Sequence, residues 1–467
     1  MKIRSLCFQK PVLLVLSFTT LLFACKNSDD SEEPATDDDM PIFAEAPAAI
    51  SIAERAERID WLTQNTYVPR SIDPFDEDYS DLAFLKDVIG SKRVVMLGEM
   101  SHGDGSTFKA KARLIRFLHQ EMGFDMIAWE SGLYDCHKAW TKIENGTKGM
   151  EAARNSINIL WSATSEVYPV FNYWDGDVTP LELIGFDIQF FGNYKSNFTT
   201  DLNAFLKNND ATFAASSGWT DLSRELVTLF SYYDAPTVLG DIDFGLIDNG
   251  LTDLITKLQT FSQNDELPLL SQRDFWVQVC ESTLGYAEFT QLLAVEKDYK
   301  KAGNARDKYM GGNLNWMINK FSDRKIIVWG ATTHLSRNLD KVAVYDVETD
   351  KFPLLAPEFI TMGNYTHETN NSHIYTIGFS AYGGKLNDWT KGKAVDLIEP
   401  LDGSIEDLLG EVGNDFGFVN YRSDLAPWMS QPFVSKPYGN GNVLAIWPEV
   451  FDGLFYIKNM EPSSYNP

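Results

Sequence analysis

The sequence is poor in cysteine, histidine and positive charge, and each shortage narrows the classes of function. Its 467 residues include four cysteines, six histidines, and 40 lysines and arginines against 66 aspartates and glutamates. The net charge of −26 disfavours nucleic acid as a partner, because phosphates require a basic surface. No CxxC pair is present, which disfavours a thiolate metal site. Cys136 and Cys280 are distant in sequence, and we expect both to be free and buried.

Common catalytic and nucleotide-binding signatures are also absent. The chain has no GxSxG nucleophile elbow, so the serine of an ordinary α/β-hydrolase has no candidate. It has neither a P-loop nor a GxGxxG turn. His367-Glu368 begins like a zinc-protease motif, but the next histidine is His373, whereas a helix requires it four residues after the first.

The apolar run over residues 11–23 is too short to span a membrane comfortably and follows the basic opening Met1-Lys-Ile-Arg. It ends with Ala24 directly before Cys25. This pattern resembles the lipobox of bacterial lipoproteins, in which the cysteine is lipidated and becomes the mature N-terminus. An ordinary secretory signal with a chance cysteine is the alternative. We therefore expect a signal peptide over residues 1–24 and a lipid anchor on Cys25.

Residues 25–45 are rich in acids and poor in apolar side chains, so they cannot bury enough surface to offset the entropy of ordering. We expect a disordered tether there. Its opening lysine and acids resemble the export tag of surface lipoproteins in some Gram-negative bacteria. The predicted location is the cell envelope, lipid-anchored to the outer membrane, with a cell-surface position suggested by this tag.

Residues 46–460 predict one large α/β domain with a mostly parallel central sheet flanked by helices. Residues 195–300 are mostly helical in pattern and predict a helical insertion. The strand, helix and strand expected from residue 93 to residue 129 form a βαβ unit with parallel pairing. Strands are expected over residues 93–97, 126–129, 181–187, 325–330, 372–380 and 442–447, and helices over residues 50–65, 81–90, 107–122 and 305–321.

Several of these strands end on a polar residue. Glu99 and His102 follow the first strand, Glu130 closes the second, Asp187 closes the third and His334 follows the fourth. In a parallel sheet the ligand crevice lies at the carboxyl ends of the strands. One imidazole near two carboxylates is a sensible way to build a general base, so an enzyme is the first hypothesis.

His102 is the candidate base, with Glu99 and Glu130 as the carboxylates that fix its tautomer and stabilise its charged form. Gly103 suggests a tight loop that lets a substrate approach the backbone. The alternative is structural: a loop histidine that only packs, and glutamates that cap a helix or pair with a lysine.

Four more residues are candidates for substrate binding. His334 could bind substrate, stabilise an oxyanion or shuttle a proton, and Asp187 could instead cap a helix or form a structural ion pair. Lys111 and Arg113, on the helix after His102, are candidates for polarising a carbonyl, although cations on a helix face are usually just solvated.

Several segments resemble the erythromycin esterase family in colinear order. They are Leu97-Gly-Glu-Met-Ser-His102-Gly, Ala128-Trp-Glu130, Trp161 with Glu166-Val, Gly185-Phe-Asp187-Ile-Gln and Arg306-Asp307-Lys-Tyr-Met. The resemblance implies that His102 activates water against a macrolide lactone ester, supported by Glu99 and Glu130, without a serine nucleophile and without a cofactor. It implies a small-molecule ester as the partner, and macrolide resistance as one expectation.

Three positions depart from the family pattern. The family's fourth strand usually ends WAHNAH, whereas this chain has Ala331 in place of the first histidine and keeps His334. Ser106 replaces a frequent glutamate, and Lys111 replaces a frequent arginine. We therefore expect the base to be kept and the substrate pocket to be changed.

Three hypotheses result. The first is a lipid-anchored hydrolase of a carboxylic ester or lactone. The second is a metallohydrolase, because Glu99, His102, Glu130 and His334 are ligand types for a divalent cation. The third is a non-catalytic surface lipoprotein that binds a ligand in an inherited crevice.

Overall fold

The structure is a computed structural model that describes residues 42–44, 49–176 and 180–466. The predicted signal peptide, Cys25 and all of the tether before residue 42 lie outside the described residues. Ile42–Ala44, expected within the disordered tether, forms a short strand, β1, that pairs with residues 352–353. Both predicted free cysteines, Cys136 and Cys280, are free and buried, as expected.

A nine-stranded sheet forms the centre of the fold. Six of its strands run parallel, which confirms the predicted fold class. The parallel strands are β3 (Val94–Glu99), β4 (Met126–Gly132), β5 (Glu182–Asp187), β6 (Ile326–Ala331), β9 (Ile374–Asp388) and β14 (Gly453–Met460). The antiparallel strands are β2 (Thr66–Tyr67), β10 (Lys393–Asp396) and β11 (Phe416–Asn420).

Two further sheets are small. One pairs β1 with β8 (Phe352–Pro353). The other contains β7 (Ala343–Val344), β12 (Phe433–Tyr438) and β13 (Gly441–Ala445). The strand expected at residues 442–447 therefore belongs to a side sheet, whereas β11 and β14 were not expected at all.

The strand order is β2-β11-β14-β9-β3-β6-β4-β5. The direct pairing expected between β3 and β4 is wrong, because β6 lies between them and pairs with both. Glu99 lies opposite Ala331 in the β3–β6 register, and Trp129 of β4 lies opposite Trp329 of β6. The carboxyl ends of β3, β6 and β4 therefore meet at one edge, where a ligand crevice forms in such sheets.

Both faces of the parallel sheet are buried. Val94 and Met96 of β3 pack in one apolar core, whereas the alternating Val95 and Leu97 pack in a second core. Because successive side chains of a strand point to opposite faces, a strand covered on both sides is apolar throughout.

The helices lie mainly on the two sheet faces. Between β5 and β6 the chain is helical, as the pattern over residues 195–300 predicts. The α-helices are α1 (Ile52–Asn65), α2 (Leu85–Ile89), α3 (Gly105–Met122), α4 (Leu133–Glu144), α5 (Gly149–Arg154), α6 (Ile159–Ser162), α7 (Tyr168–Tyr173), α8 (Phe198–Asn209), α9 (Ala211–Ala214), α10 (Ser217–Ser231), α11 (Phe244–Gln259), α12 (Arg273–Thr290), α13 (Tyr299–Lys320), α14 (Thr332–Leu335), α15 (Met362–Asn370), α16 (Ile405–Val412) and α17 (Trp447–Val450).

Local sequence explains where several helices begin and end. Ser51 and Glu54 form a reciprocal capping box at the start of α1. Gly90, at a φ of 58°, ends α2, as expected of a C-terminal glycine. The helix expected over residues 81–90 is shorter, because a separate 3-10 turn, Tyr79–Leu82, precedes α2. No helix within the described ranges has the length and apolarity that crossing a membrane requires.

Candidate active site

Two clusters of charged side chains lie at the carboxyl ends of β3, β6 and β4. Glu99 closes β3 and is the centre of the first cluster, and Glu130 near the end of β4 is the centre of the second. Glu99 is 0 % exposed and Glu130 is 3 % exposed. Buried carboxylates require compensating partners, so the contacts of each cluster define its chemistry.

Glu99 receives three side-chain partners from separate elements. Lys111 of α3 forms an ion pair with its Oε2 atom. The indole N–H of Trp161 donates to Oε1 at 3.0 Å, and Nδ1 of His102 lies 3.3 Å from the same oxygen. The ammonium of Lys111 also lies 3.9 Å from the ring centroid of Trp329. The lysine is fully buried and has no surface left for a substrate.

These partners determine the charge of Glu99. Burial alone would raise its pKa, but the charge of Lys111 and the hydrogen bond with His102 outweigh burial and lower the pKa to about 2. Burial lowers the pKa of Lys111 to about 8, against the opposing effect of Glu99. At pH 7 the pair is therefore an ionised carboxylate and an ammonium.

The imidazole of His102 lies at the edge of this cluster, with 12 % of its side chain exposed. Because Glu99 is ionised, it accepts the proton of Nδ1 and leaves the lone pair of the neutral ring on Nε2. Among the described residues no hydrogen bond reaches Nε2. The ring also packs edge-to-face against Trp161, with 5.0 Å between centroids. A fixed, partly exposed imidazole with a free basic nitrogen can accept a proton from water.

Asp104 stabilises the turn that carries His102. Its carboxyl oxygens accept hydrogen bonds from the backbone N–H of Ser101 at 2.8 Å and the amide of Asn440 at 3.3 Å. Burial raises the pKa of Asp104 to about 8, so this carboxyl is mostly neutral at pH 7. It adds little negative charge beside the base.

Glu130 receives a guanidinium and a backbone N–H. Arg306 of α13 donates to its Oε1 at 3.1 Å, and the N–H of Ala331 donates to its Oε2 at 2.7 Å. The same guanidinium makes two hydrogen bonds to Asp187, at 2.7 and 3.1 Å. Asp187 is fully buried, and its two hydrogen bonds hold the guanidinium of Arg306 in place.

His334 joins this second cluster. Its Nδ1 lies 2.9 Å from both carboxylate oxygens of Asp307, and its Nε2 lies 3.3 Å from Nη1 of Arg306 and 3.6 Å from Oε1 of Glu130. Burial by itself lowers the pKa of His334, but the charges of Asp307 and Glu130 outweigh burial and raise it. In the neutral ring Nδ1 donates to Asp307 and Nε2 accepts from Arg306.

One peptide group connects the two clusters. The carbonyl of Gly330 accepts from Lys111 at 3.3 Å, and the N–H of Ala331 in the same peptide bond donates to Glu130. A Cβ atom on residue 330 would lie 3.1 Å from Oε2 of Glu130, which favours glycine at this close approach. The end of β6 therefore fixes the separation of the two clusters.

The structure brings together most of the predicted site residues, in a different grouping. His102 contacts Glu99, but among the described residues it makes no hydrogen bond to Glu130, which lies with Asp187 and His334 instead. Lys111 neutralises Glu99 and is too buried to polarise a substrate carbonyl, contrary to the expectation.

Arg113 lies outside both clusters. Its guanidinium binds Asp81 at 2.8 Å and the backbone carbonyls of Ser71 and Asp78. Residues two apart on a helix point in different directions, so Arg113 and Lys111 cannot share a face of α3. Its role is to hold the segment before α2, and the expectation that it polarises a carbonyl is wrong.

Sequence reasoning did not assign roles to Trp161, Arg306 or Asp307. All three lie within segments that resemble the family, and this resemblance is the only feature of the sequence that could have marked them as site residues. The carboxylate partners of Trp161 and Arg306 lie 62 residues or more away along the chain, so spacing alone could not find these contacts.

The proposed metal ligands do not converge. Glu99 and His102 belong to the first cluster, whereas Glu130 and His334 belong to the second. Lys111 and Arg306 already neutralise the two carboxylates. Within the part of the chain that the structure describes, no group of three or more histidines, cysteines, aspartates or glutamates is arranged to hold a metal ion.

Replacement of Lys111 by methionine should lower the free energy of unfolding by about 3–5 kcal/mol, because it leaves the Glu99 carboxylate buried without its cation. Denaturant unfolding measures this change. The double variant Lys111→Met with Glu99→Gln should recover most of the loss. Lys109→Met, on the same helix, removes a partly exposed ion pair with Glu461 and should cost less than about 1 kcal/mol. Equal losses in the Lys111 and Lys109 variants would contradict the buried ion pair.

The contribution of Glu99 to the free energy of unfolding should depend on pH. Its folded pKa is depressed from 4.5 to about 2, so its contribution is complete above about pH 4.5 and is lost as the pH falls toward 2. The difference in unfolding free energy between wild type and Glu99→Gln should therefore shrink by on the order of 3 kcal/mol over this interval. A difference that stays constant from pH 6 to pH 2.5 would rule out an ionised Glu99.

Comparisons with known proteins identify the family and the fold of this chain. The sequence profile of the family described as erythromycin esterase matches residues 119–460. The chain is 28% identical to the Bacillus subtilis (strain 168) protein named "Putative hydrolase YbfO", over 85% of this chain and 91% of that protein. It is 21% identical to "Erythromycin esterase type II" of Escherichia coli, over 86% of this chain and 98% of that protein.

A solved structure has the same fold. It is a mutant of the erythromycin esterase EreC in its open conformation, with a TM-score of 0.63 and 17% identity over 85% of this chain and 97% of that chain. The names of the family and of the two sequence relatives support a hydrolase. The family profile covers well over half of the sequence, and the chain belongs to the erythromycin esterase family.

Proposed function

We propose that the protein hydrolyses a carboxylic ester or lactone of a small molecule, using His102 to activate water. One observation carries the proposal: an ionised Glu99 holds Nδ1 of a partly exposed His102 and leaves Nε2 free. A positioned base of this kind is unnecessary for ligand binding alone, which favours an enzyme over a non-catalytic binding protein.

The reaction needs one water molecule and no cofactor. Nε2 of His102 takes a proton from water as the water oxygen bonds to the carbonyl carbon. The tetrahedral intermediate then breaks its bond to the leaving oxygen, which takes the proton back from the imidazolium. The products are a carboxylic acid and an alcohol, or one hydroxy acid when the substrate is a lactone.

Glu99 stabilises the charged state of His102 during this step. The imidazolium forms next to a carboxylate whose charge Lys111 maintains, so positive charge on the ring is favoured. Lys111 keeps its own proton at pH 7 and acts through Glu99 without touching substrate. A dry, preformed charge pair costs no reorganisation when the ring becomes protonated.

The second cluster supplies groups for substrate binding. Arg306 and His334 are buried polar groups whose orientation is set by Asp187, Glu130 and Asp307. A fixed guanidinium suits a substrate carbonyl or hydroxyl better than a solvated lysine would. We assign substrate orientation to Arg306, whose side chain is 10 % exposed, and assign its positioning to Asp187, Glu130 and His334, since both ring nitrogens of His334 are already bound. A macrolide lactone is one substrate of the proposed class.

Replacement of His102 by alanine should reduce kcat/KM about 10²- to 10⁴-fold, the usual contribution of a general base. A panel of aryl esters, alkyl esters, lactones and macrolides, assayed for acid release, measures this loss. His373→Gln is the matched control, since His373 is an exposed histidine outside both clusters. It should retain wild-type activity.

Three outcomes would contradict this mechanism. The first is equal activity of wild type and His102→Ala. The second is the absence of measurable hydrolysis by either protein across the whole panel. The third is activity that disappears after stringent chelation and returns with a divalent metal, because it would favour the metallohydrolase alternative.

We also propose that Cys25 carries a lipid that holds the protein at the outer membrane. The lipobox-like sequence that precedes Cys25 supports this proposal. Cys25→Ser should move the full chain from the membrane fraction to the soluble fraction and abolish its partition into detergent. Intact mass of the mature wild-type protein should exceed that of its polypeptide by the mass of a lipid group. An unmodified mass with cleavage elsewhere would contradict the anchor and support an ordinary secretory signal.

A further inference from the structure

We infer that Trp389, at the tip of the β9–β10 hairpin, is a positioning residue that holds the His102 loop through the His102 carbonyl. The inference rests on the proposed function of His102 and assigns it a further supporting group. Trp389 donates its indole N–H to the backbone carbonyl of His102 at 2.7 Å. It does not contact the reacting atoms, so its effect must be transmitted through the backbone.

The hairpin is built to present this tryptophan in a fixed direction. β9 and β10 pair from Lys393 opposite Asp388 to Asp396 opposite Lys385. The Asp388 carboxylate accepts hydrogen bonds from the backbone N–H of Thr390 at 2.9 Å and of Lys391 at 3.1 Å. Such an aspartate turn fixes the backbone immediately around Trp389.

The hairpin also lies directly against the loop. The backbone N–H of Asn387 donates to the carbonyl of Gly103 at 3.0 Å. A Cβ atom at residue 103 would lie only 2.0 Å from the carbonyl oxygen of Asn387, so this approach requires glycine. We expected Gly103 to admit a substrate to the backbone, but the structure uses that space for the hairpin.

The chain after β14 also contacts this loop and the start of α3. The N–H of Ser463 donates to the carbonyl of Gly103 at 2.8 Å, and the N–H of Glu461 donates to the hydroxyl of Ser106 at 2.9 Å. Tyr465 packs edge-to-face on Trp389, with 4.4 Å between ring centroids. The tryptophan therefore joins the hairpin, the C-terminal segment and the His102 loop.

This clamp, formed by Trp389, Asn387 and Ser463, matters because the hydrogen bond that orients the His102 ring is long. Nδ1 of His102 lies 3.3 Å from Glu99, near the upper limit of a useful hydrogen bond. A small shift of the His102 backbone would break that contact. Misplacement of a catalytic group by about 1 Å can cost 100-fold in rate. The Trp389 hydrogen bond opposes such a shift.

The test compares Trp389→Phe with Trp174→Phe in the full chain. Trp174 is the matched control, because its indole N–H also donates to a backbone carbonyl, that of Leu181, at 3.0 Å and in a partly buried position. Both variants lose one hydrogen bond and keep an aromatic ring. Trp389→Phe should lower kcat about 10- to 100-fold with unchanged KM, whereas Trp174→Phe should leave kcat unchanged.

Hydrogen–deuterium exchange of residues 100–106 supplies a readout independent of activity. It should become faster in Trp389→Phe and stay at the wild-type rate in Trp174→Phe. Unchanged exchange in Trp389→Phe, or equal kcat in the two variants of an active wild type, would overturn the inference. If wild type hydrolyses no ester but exchange still separates the variants, the clamp stands and the proposed function fails.

Discussion

The buried ion pair between Glu99 and Lys111 is the interaction on which the rest of the site depends. Removing two charges from water costs several kcal/mol per ion, and only close pairing with further hydrogen bonds offsets that cost. Trp161 and His102 bind the carboxylate, while the Gly330 carbonyl and the Trp329 ring stabilise the ammonium. Glu99, Lys111 and the Trp329–Gly330 segment belong to β3, α3 and β6, whereas Trp161 belongs to α6 and His102 to the turn after β3.

In the proposed mechanism, the source of charge is separate from the group that reacts. Lys111 keeps Glu99 ionised, Glu99 selects the tautomer of His102, and His102 alone is exposed to solvent. A lysine directly beside the imidazole would disfavour the imidazolium by like-charge repulsion. Because Glu99 lies between them, Lys111 keeps Glu99 ionised, and the ionised carboxylate in turn stabilises the imidazolium.

Much of the fold followed from the sequence, because each buried strand is a continuous apolar run between turn residues. Glu99, His102, Glu130, Asp187 and His334 are candidates for the same reason, since each follows or ends such a strand. The grouping could not be found this way. Strand order depends on packing between distant segments, and the insertion of β6 between β3 and β4 moved Glu130 away from His102.

Side-chain direction was the second limit of the sequence. Lys111 and Arg113 have the same charge and lie two residues apart on one helix, yet one reaches Glu99 and the other reaches Asp81. The pattern of α3 shows which face is apolar but gives no sign of a buried cation on that face. Such a cation can be identified only when the position of its carboxylate partner is known, and that position depends on the tertiary structure.

Ala331 shows how this chain can depart from the family pattern and still keep the connection between the two clusters. Its contribution to the site is a backbone N–H bound to Glu130, and any residue other than proline can supply that group. Its methyl side chain adds no hydrogen-bonding group where the family usually has a histidine. The connection between the two clusters therefore survives the replacement, and so does the Glu99–His102 pair, whose side-chain hydrogen bonds in the described residues do not involve residue 331. Under the proposed function, the missing imidazole removes a group available to the substrate and leaves the Glu99–His102 pair in place.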